Sequence, residues 1–276
     1  MGNIRLIALD MDGTLLTSDK RLSARNKKAL DRASAAGMQI VPTTGRVFTG
    51  LPPEIRALPY VRYAITCNGA SVYDIAADTI ICRAEIPVPQ ALEVMQWLEN
   101  WPVIYDCYMD DRGWMTRAMW DQAETYAPNP YYVAMVRTLR QPVPELKAFL
   151  RARGGSVQKI QAFALDEAIQ ARLIREVSRR FPDLSISTSV SRNVEINHAD
   201  ANKGTALLAL AQALGLDRAQ TMAFGDGIND LSMIEAAGVG VAMANAAPEV
   251  IQAADRVTSD NDSDGVAEVI EVLLGD

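Results

Sequence analysis

At 276 residues the chain exceeds the usual size of a single domain, and a hydrophobic content of 49% is enough to fill two cores. Its formal charge of −7 and pI near 4.9 argue against nucleic acid as a main partner, since phosphate backbones are met by basic patches. No apolar run approaches the ~20 residues of a membrane-spanning helix, so no membrane partner is expected. The N-terminus carries no signal-peptide pattern, and three scattered cysteines (Cys67, Cys82, Cys107) lead to the expectation of a reducing cytoplasm.

The first predicted element is an apolar strand, Ile4 to Leu9, that stops at Asp10-Met11-Asp12-Gly13-Thr14. Residues two apart on an extended chain share a face. Asp10 and Asp12 therefore bring like charges together unless a cation lies between them or one keeps its proton. Ser23 caps a helix running through Lys27, Ala29, Leu30 and Ala33, which Gly37 ends. A second strand, Met38 to Val41, leads into Pro42-Thr43-Thr44-Gly45-Arg46, where hydroxyls, a flexible amide and a guanidinium form a candidate phosphate cradle. Pro42 is tolerable there if the hydrogen-bonded ladder has already stopped. Strand and helix in alternation predict βαβ units with a parallel sheet.

The middle of the chain changes character. Val103 to Tyr108 and Trp114 to Thr116 read as strands around the turn Asp110-Asp111-Arg112-Gly113. Val157 to Leu165 reads as a further strand, followed by a helix that Asp166 caps and that stops before Pro182, then a strand from Leu184 to Ser189. All four tryptophans (Trp97, Trp101, Trp114, Trp120) fall in this part, where such spacing points to the core of a small domain rather than to a stacking surface. His198 reads as a loop residue.

Asn202-Lys203-Gly204-Thr205 then opens a helix through Leu207, Leu208, Leu210, Ala211 and Leu214, closed by Gly215. A lysine in a first turn opposes the helix dipole, a local mismatch that points to a functional reason. Thr221 to Gly225 is a short strand that ends in Asp226-Gly227-Ile228-Asn229-Asp230, and helices follow at Pro248 to Ala254 and Gly265 to Leu274.

In open parallel sheets ligands sit beyond the carboxyl ends of the strands, so Asp10, Asp12, Asp226 and Asp230 are expected around one site. Four carboxylates there need compensation. Hard oxygen ligands without a His or Cys cluster favour Mg2+, held by Asp10, Asp226 and the backbone carbonyl of Asp12, whereas one histidine and scattered cysteines disfavour zinc. The chemistry expected is in-line attack of Asp10 on a phosphoryl group to give an aspartyl phosphate. Asp12 protonates the departing alcohol and then takes a proton from the hydrolytic water, while Mg2+ and Lys203 offset the mutual repulsion of the anions.

Asp10-Met11-Asp12-Gly13-Thr14, Thr44-Gly45-Arg46, Lys203-Gly204 and Gly225 to Asp230 resemble the four ordered motifs of the haloacid dehalogenase-like hydrolases. Cys67-Asn68-Gly69-Ala70 and Val239 to Met243 are similar to the Cof-type sugar-phosphate phosphatase branch. The resemblance implies Asp10 as nucleophile, Asp12 as acid/base, Thr44 and Lys203 as phosphate ligands, Asp226 as the metal carboxylate, and Asn229 and Asp230 as contacts to the substrate or to the groups around it. It also implies an α/β fold: a doubly wound parallel-sheet (Rossmann-like) core with an inserted α/β cap. Placement and length put the core at 1–85 and 190–276 and the cap at 86–189, with hinges at Ile86-Pro87-Val88-Pro89 and at 189–192 that would let the cap close over the site. Arg46 is the specificity candidate, its guanidinium fork serving a phosphate or carboxylate, or else a salt bridge to the cap.

The expected function is Mg2+-dependent hydrolysis of a small phosphorylated metabolite, a sugar phosphate or a phosphorylated cofactor, by a monomer or weak homodimer. A phosphomutase acting on hexose phosphates shares the chemistry. A receiver that stores its phosphoryl group on Asp10 is disfavoured by Asp12, which would discharge it. A dinucleotide-binding oxidoreductase lacks its third glycine at Gly225-Asp226-Gly227.

Overall fold

The computed structural model describes residues 3–188 and 191–275, so Ser189 and Val190, in the expected second hinge, lie outside the described residues. The chain divides into two compact units, one built from residues up to Arg46, Leu51–Arg83 and Asn202 onward, the other from Val47–Gly50 and Ala84–Ala201.

The first unit is an α/β core around a five-stranded parallel sheet. Its strands run in the order Arg256–Val257, Val239–Ala242, Thr221–Gly225, Leu6–Leu9, Gln39–Pro42. Leu6–Leu9 and Thr221–Gly225 are buried at every position, which explains why these runs are apolar throughout instead of alternating: a parallel sheet is covered on both faces. Helices Lys203–Ala213 and Leu231–Ala236 pack together over Leu6, Ala8, Val41 and Ala223, and helix Ala24–Ala35 packs against Gly265–Leu274. The Ser23 hydroxyl accepts the Asn26 amide at 3.0 Å, and Gly37 follows the helix with φ +86°, as its sequence predicts.

Two local expectations change here. The ladder does not stop before Pro42, because Pro42 pairs with Leu9 and the Thr43 amide then donates to the Leu9 carbonyl at 2.8 Å. Proline is accommodated because its strand is the edge of the five-stranded sheet. The segment from Tyr63 to Arg83 forms an antiparallel sheet of three strands, Tyr63–Thr66, Ser71–Asp74 and Thr79–Arg83, joined to the core where the Thr44 amide donates to the Ile65 carbonyl at 2.9 Å.

The second unit is a six-stranded sheet in the order Leu184–Ser187, Asn193–His198, Lys159–Ala164, Val103–Met109, Arg112–Thr116, Arg140–Val143, antiparallel except for the last pair. Helices Val88–Leu98, Leu146–Arg153 and Glu167–Arg180 supply a core that includes Val94, Leu98, Tyr105, Cys107, Ile160 and Leu173, and Trp97, Trp101 and Trp114 pack against it. Trp120 packs on a smaller cluster with Ile104 and Phe163. The tryptophans therefore serve packing.

His198 is not in a loop: it ends a strand that pairs on both sides, which carries the second unit to Ala201. Ile86-Pro87 pairs with Ser156-Val157, and Val88 starts a helix with Pro89 in its first turn, where a missing amide hydrogen costs nothing. No helix among the described residues is long and apolar enough to cross a membrane.

Candidate active site

All the predicted site residues lie in the first unit, and the sheet brings most of them together. Leu9 is in register with Phe224 and with Pro42, so the chain leaves three neighbouring strands at one edge, delivering Asp10, Thr43-Thr44 and Asp226 side by side. The Asp10 amide still donates to the Phe224 carbonyl at 3.1 Å, which fixes where its side chain starts. Gly13 has φ +88°, and a Cβ there would sit 2.4 Å from Asp226 Oδ2, so only glycine lets the two acidic turns approach so closely.

Lys203 reaches this edge from the first turn of its helix. Its ammonium is fully buried and lies 2.6 Å from Asp10 Oδ1 and 2.5 Å from Asp230 Oδ1. The other Asp230 oxygen accepts the backbone amides of Asp226 (3.0 Å) and Gly227 (2.9 Å), so Asp230 binds the lysine and the turn together. Burial alone would lower the Lys203 pKa, but Asp10 and Asp230 outweigh it and hold the ammonium charged. Burial, followed by the charges of Asp230 and Asp226, pushes the Asp10 carboxyl well up despite Lys203. Asp226 is raised to about 6 by burial and then by Asp230, with a 2.7 Å hydrogen bond from Thr14 opposing.

Asp10, Asp226 and Asp230 each offer a carboxylate oxygen within 4.8 Å of the others. One ammonium cannot neutralise three such acids. Their hard oxygens and their excess negative charge suit a divalent cation such as Mg2+. Because Asp230 is already taken by Lys203 and two amides, Asp10 and Asp226 are the carboxylates better placed to hold it.

Asp12 faces differently. Its carboxylate takes the Arg46 fork, Nε to Oδ2 at 3.0 Å and Nη2 to Oδ1 at 2.8 Å and to Oδ2 at 2.6 Å, and Lys20 Nζ reaches Oδ1 at 2.9 Å. Burial would raise the Asp12 carboxyl, yet the Arg46 and Lys20 charges hold it below the usual range. The sequence leaves the Arg46 fork a phosphate, a carboxylate or a salt bridge to the cap. In this structure its fork closes on Asp12, a carboxylate within its own unit that matches the same geometry.

Thr44 is buried, and its hydroxyl accepts the Arg46 amide at 3.2 Å, with half-buried Gly45 between them. Its carbonyl accepts the Asn68 amide at 3.1 Å, and the Asn68 side chain accepts from Asn229 Nδ2 at 3.3 Å. Asn229 thus joins the loop of Cys67-Asn68-Gly69, in which all three residues have positive φ. Gly69 belongs there for a second reason, since a Cβ would meet the Asn202 carbonyl oxygen at 2.3 Å.

Two contributors escape a reading of the sequence. Lys20 sits in a charged run, Asp19-Lys20-Arg21, that looks like any solvated turn. Asn68 carries a branch signature without revealing its contact to Asn229.

A family model for haloacid dehalogenase-like hydrolases matches residues 7–270. The pyridoxal phosphate phosphatase YbhA of Escherichia coli (strain K12) is 34% identical over 96% of this chain and 97% of its own. The 5-amino-6-(5-phospho-D-ribitylamino)uracil phosphatase YcsE of Bacillus subtilis (strain 168) is 29% identical over 97% and 95%. A solved haloacid dehalogenase-like hydrolase from B. subtilis superposes with a TM-score of 0.82 at 27% identity, covering 98% of this chain and 100% of that one. The chain therefore belongs to the haloacid dehalogenase-like hydrolases, in the Cof-type branch, and is a phosphoric-monoester hydrolase.

Proposed function

We propose that this chain is a Mg2+-dependent phosphatase of small phosphorylated metabolites that works through a phosphoryl group carried on Asp10. The observation that supports this most is the buried Lys203 between Asp10 and Asp230, 2.6 and 2.5 Å away, at the sheet edge where Asp226 also emerges. Lys203 holds Asp10 Oδ1, so Oδ2 is the oxygen that attacks phosphorus as the bond to the leaving alcohol breaks. Asp12 gives that alcohol its proton. Water then attacks the phosphorus of the aspartyl phosphate, Asp12 takes the water's proton, and inorganic phosphate departs from a regenerated Asp10.

Lys203 keeps the nucleophile oriented and counters the charge of the phosphoryl oxygens, and the Thr44 hydroxyl and Gly45 amide stand on the neighbouring strand end as further donors. Asn229, tied to Asn68, is a further polar contact for the substrate. A divalent cation held by Asp10, Asp226 and the Asp12 carbonyl would supply additional neutralisation of phosphoryl charge. The second unit, 84–201, takes the role of the cap.

The names of relatives, which specify pyridoxal phosphate and a phosphoribitylaminouracil, support phosphate monoesters of that kind as the substrate class, with sugar phosphates beside them. Three free cysteines suit a reducing cytoplasm. The test is a panel of such monoesters assayed for phosphate release with Mg2+ and with EDTA. Turnover is expected only with the metal, and Asp10→Asn should remove it while leaving the fold intact; residual turnover above a trace in that variant would remove Asp10 as nucleophile.

A further inference from the structure

Asp12 is held by two cations although one fork already satisfies both of its oxygens. Arg46 occupies Oδ2 through Nε and Nη2, yet an acid that protonates a leaving group must have an oxygen free to carry the proton. Oδ1 is shared, by Arg46 Nη2 at 2.8 Å and by Lys20 Nζ at 2.9 Å. An incoming phosphoryl group competes for the Arg46 fork, because guanidinium pairs with phosphate as readily as with carboxylate. Were Arg46 drawn to it, Oδ2 would be released and Lys20 would keep its hold on Oδ1.

The turn that carries Lys20 is built to keep it in place. Lys20 sits at φ +62°, a conformation that side-chain-bearing residues avoid, closed by its amide on the Thr17 carbonyl (2.8 Å) and by the Thr17 amide on the Arg21 carbonyl (3.0 Å). Leu16 bridges to Leu22 below it and to Asp12 itself. From outside, Asp262 accepts the Ser18 amide and hydroxyl, each at 2.7 Å, and Glu54 accepts the Leu22 amide at 3.0 Å. A lysine serving only solubility needs no such anchorage.

We propose that Lys20 is a positioning residue for Asp12: from its anchored turn it holds Oδ1, so that Oδ2 faces the leaving oxygen and carries the proton when Arg46 turns to the phosphoryl group. In that step the Asp12 Oδ2–H bond breaks, the proton passes to the departing oxygen as its bond to phosphorus breaks, and Asp10 gains the phosphoryl group. The proposal rests on the phosphatase reading above and adds a residue that reading does not use.

The test compares two phosphate esters in single-turnover experiments with saturating Mg2+. An alkyl monoester needs a proton on its leaving oxygen, whereas p-nitrophenyl phosphate releases a phenolate that is stable without one. In Lys20→Met, cleavage of the alkyl ester is expected to slow about tenfold, a part of what a positioned acid contributes, while release of nitrophenolate changes less than about twofold. Lys20→Arg, which can still donate to Oδ1, should restore most of the alkyl rate. Equal losses on both esters, no loss on either, or failure of Lys20→Arg to recover would overturn the role of Lys20. Should Lys20→Met not fold, the same comparison is made with Lys20→Gln. A wild-type enzyme that cleaves neither ester would instead overturn the phosphatase reading, and the role of Lys20 with it.

Discussion

Asp226 illustrates how a single side chain can serve a site at the expense of the fold. Its carboxyl is lifted from an ordinary 3.8 to about 6, first by burial and then by the charge of Asp230. A carboxyl whose folded pKa is raised stabilises the fold when protonated. Its contribution is therefore complete below about pH 4 and is lost as pH rises through 6. Without metal at pH 7.5, Asp226→Asn should raise the thermal midpoint by roughly 2–4 °C, because the amide still accepts from Thr14 and carries no charge. At pH 4 the difference should shrink toward zero. Adding Mg2+ should stabilise the wild type and leave Asp226→Asn nearly unmoved. Scanning fluorimetry across pH, with EDTA or Mg2+, checks all three outcomes, and a variant less stable than the wild type at pH 7.5 would contradict the argument. Residue identity alone did not disclose this balance. The sequence pointed to Asp10 and Asp226 because each ends an apolar strand, but the saturation of Asp230 by Lys203 and two amides depends on side-chain directions that no local pattern encodes. Arg46 is the same case: nothing within its own turn distinguishes a fork for phosphate from a fork for Asp12, 34 residues earlier.

Among the elements, the helix Lys203–Ala213 carries the most consequence for its length. Asn202 caps it, accepting the Thr205 amide at 2.8 Å, and the lysine that reaches Asp10 and Asp230 is the very next residue. Asn202→Ala should cost about 1 kcal/mol in urea unfolding, and Asn202→Asp should cost less, since a carboxylate caps as well and favours the positive helix end. If Asn202→Ala leaves the midpoint unchanged, the cap is not holding that turn. This helix was legible because cap, apolar positions and closing glycine agree, as they do for the helix after Ser23. The helices Arg117–Asp121, Ala123–Tyr126 and Pro130–Leu139 were not. Two of them are barely a turn long, too short for a 3.6-residue period to emerge, and their stability comes from packing on Ile104, Phe163 and Val136. Ile86-Pro87-Val88-Pro89 lies just past the boundary between the units at Arg83 and Ala84, where it pairs with Ser156-Val157 and opens a helix. Two prolines suggest a hinge, and proline is equally at home in the first turn of a helix.

At the scale of the whole molecule, two units with separate cores make two melting transitions the natural expectation, since each core can be lost without the other. Each unit offers its own handle. The acidic cluster lies in the first, so Mg2+ should raise that transition, by about 2.7 kcal/mol when its concentration is a hundred times the dissociation constant. The second unit contains a fully buried ion pair, Arg140 Nε to Asp106 Oδ2 at 3.0 Å, with Arg140 also donating to Gln161 at 3.1 Å. Burial pushes the Asp106 carboxyl up even though Arg140 opposes it, the mark of a charge that would be poorly tolerated alone. Arg140→Met should therefore lower the second transition by about 3–5 kcal/mol, whereas Arg140→Met combined with Asp106→Leu should recover much of that loss, because an apolar pair leaves no stranded charge. Differential scanning calorimetry separates the outcomes: Mg2+ should move one transition and Arg140→Met the other. If either perturbation moves both by the same amount, the two units unfold as one, and the stability of the acidic cluster is set by the entire chain rather than by the sheet whose edge carries it.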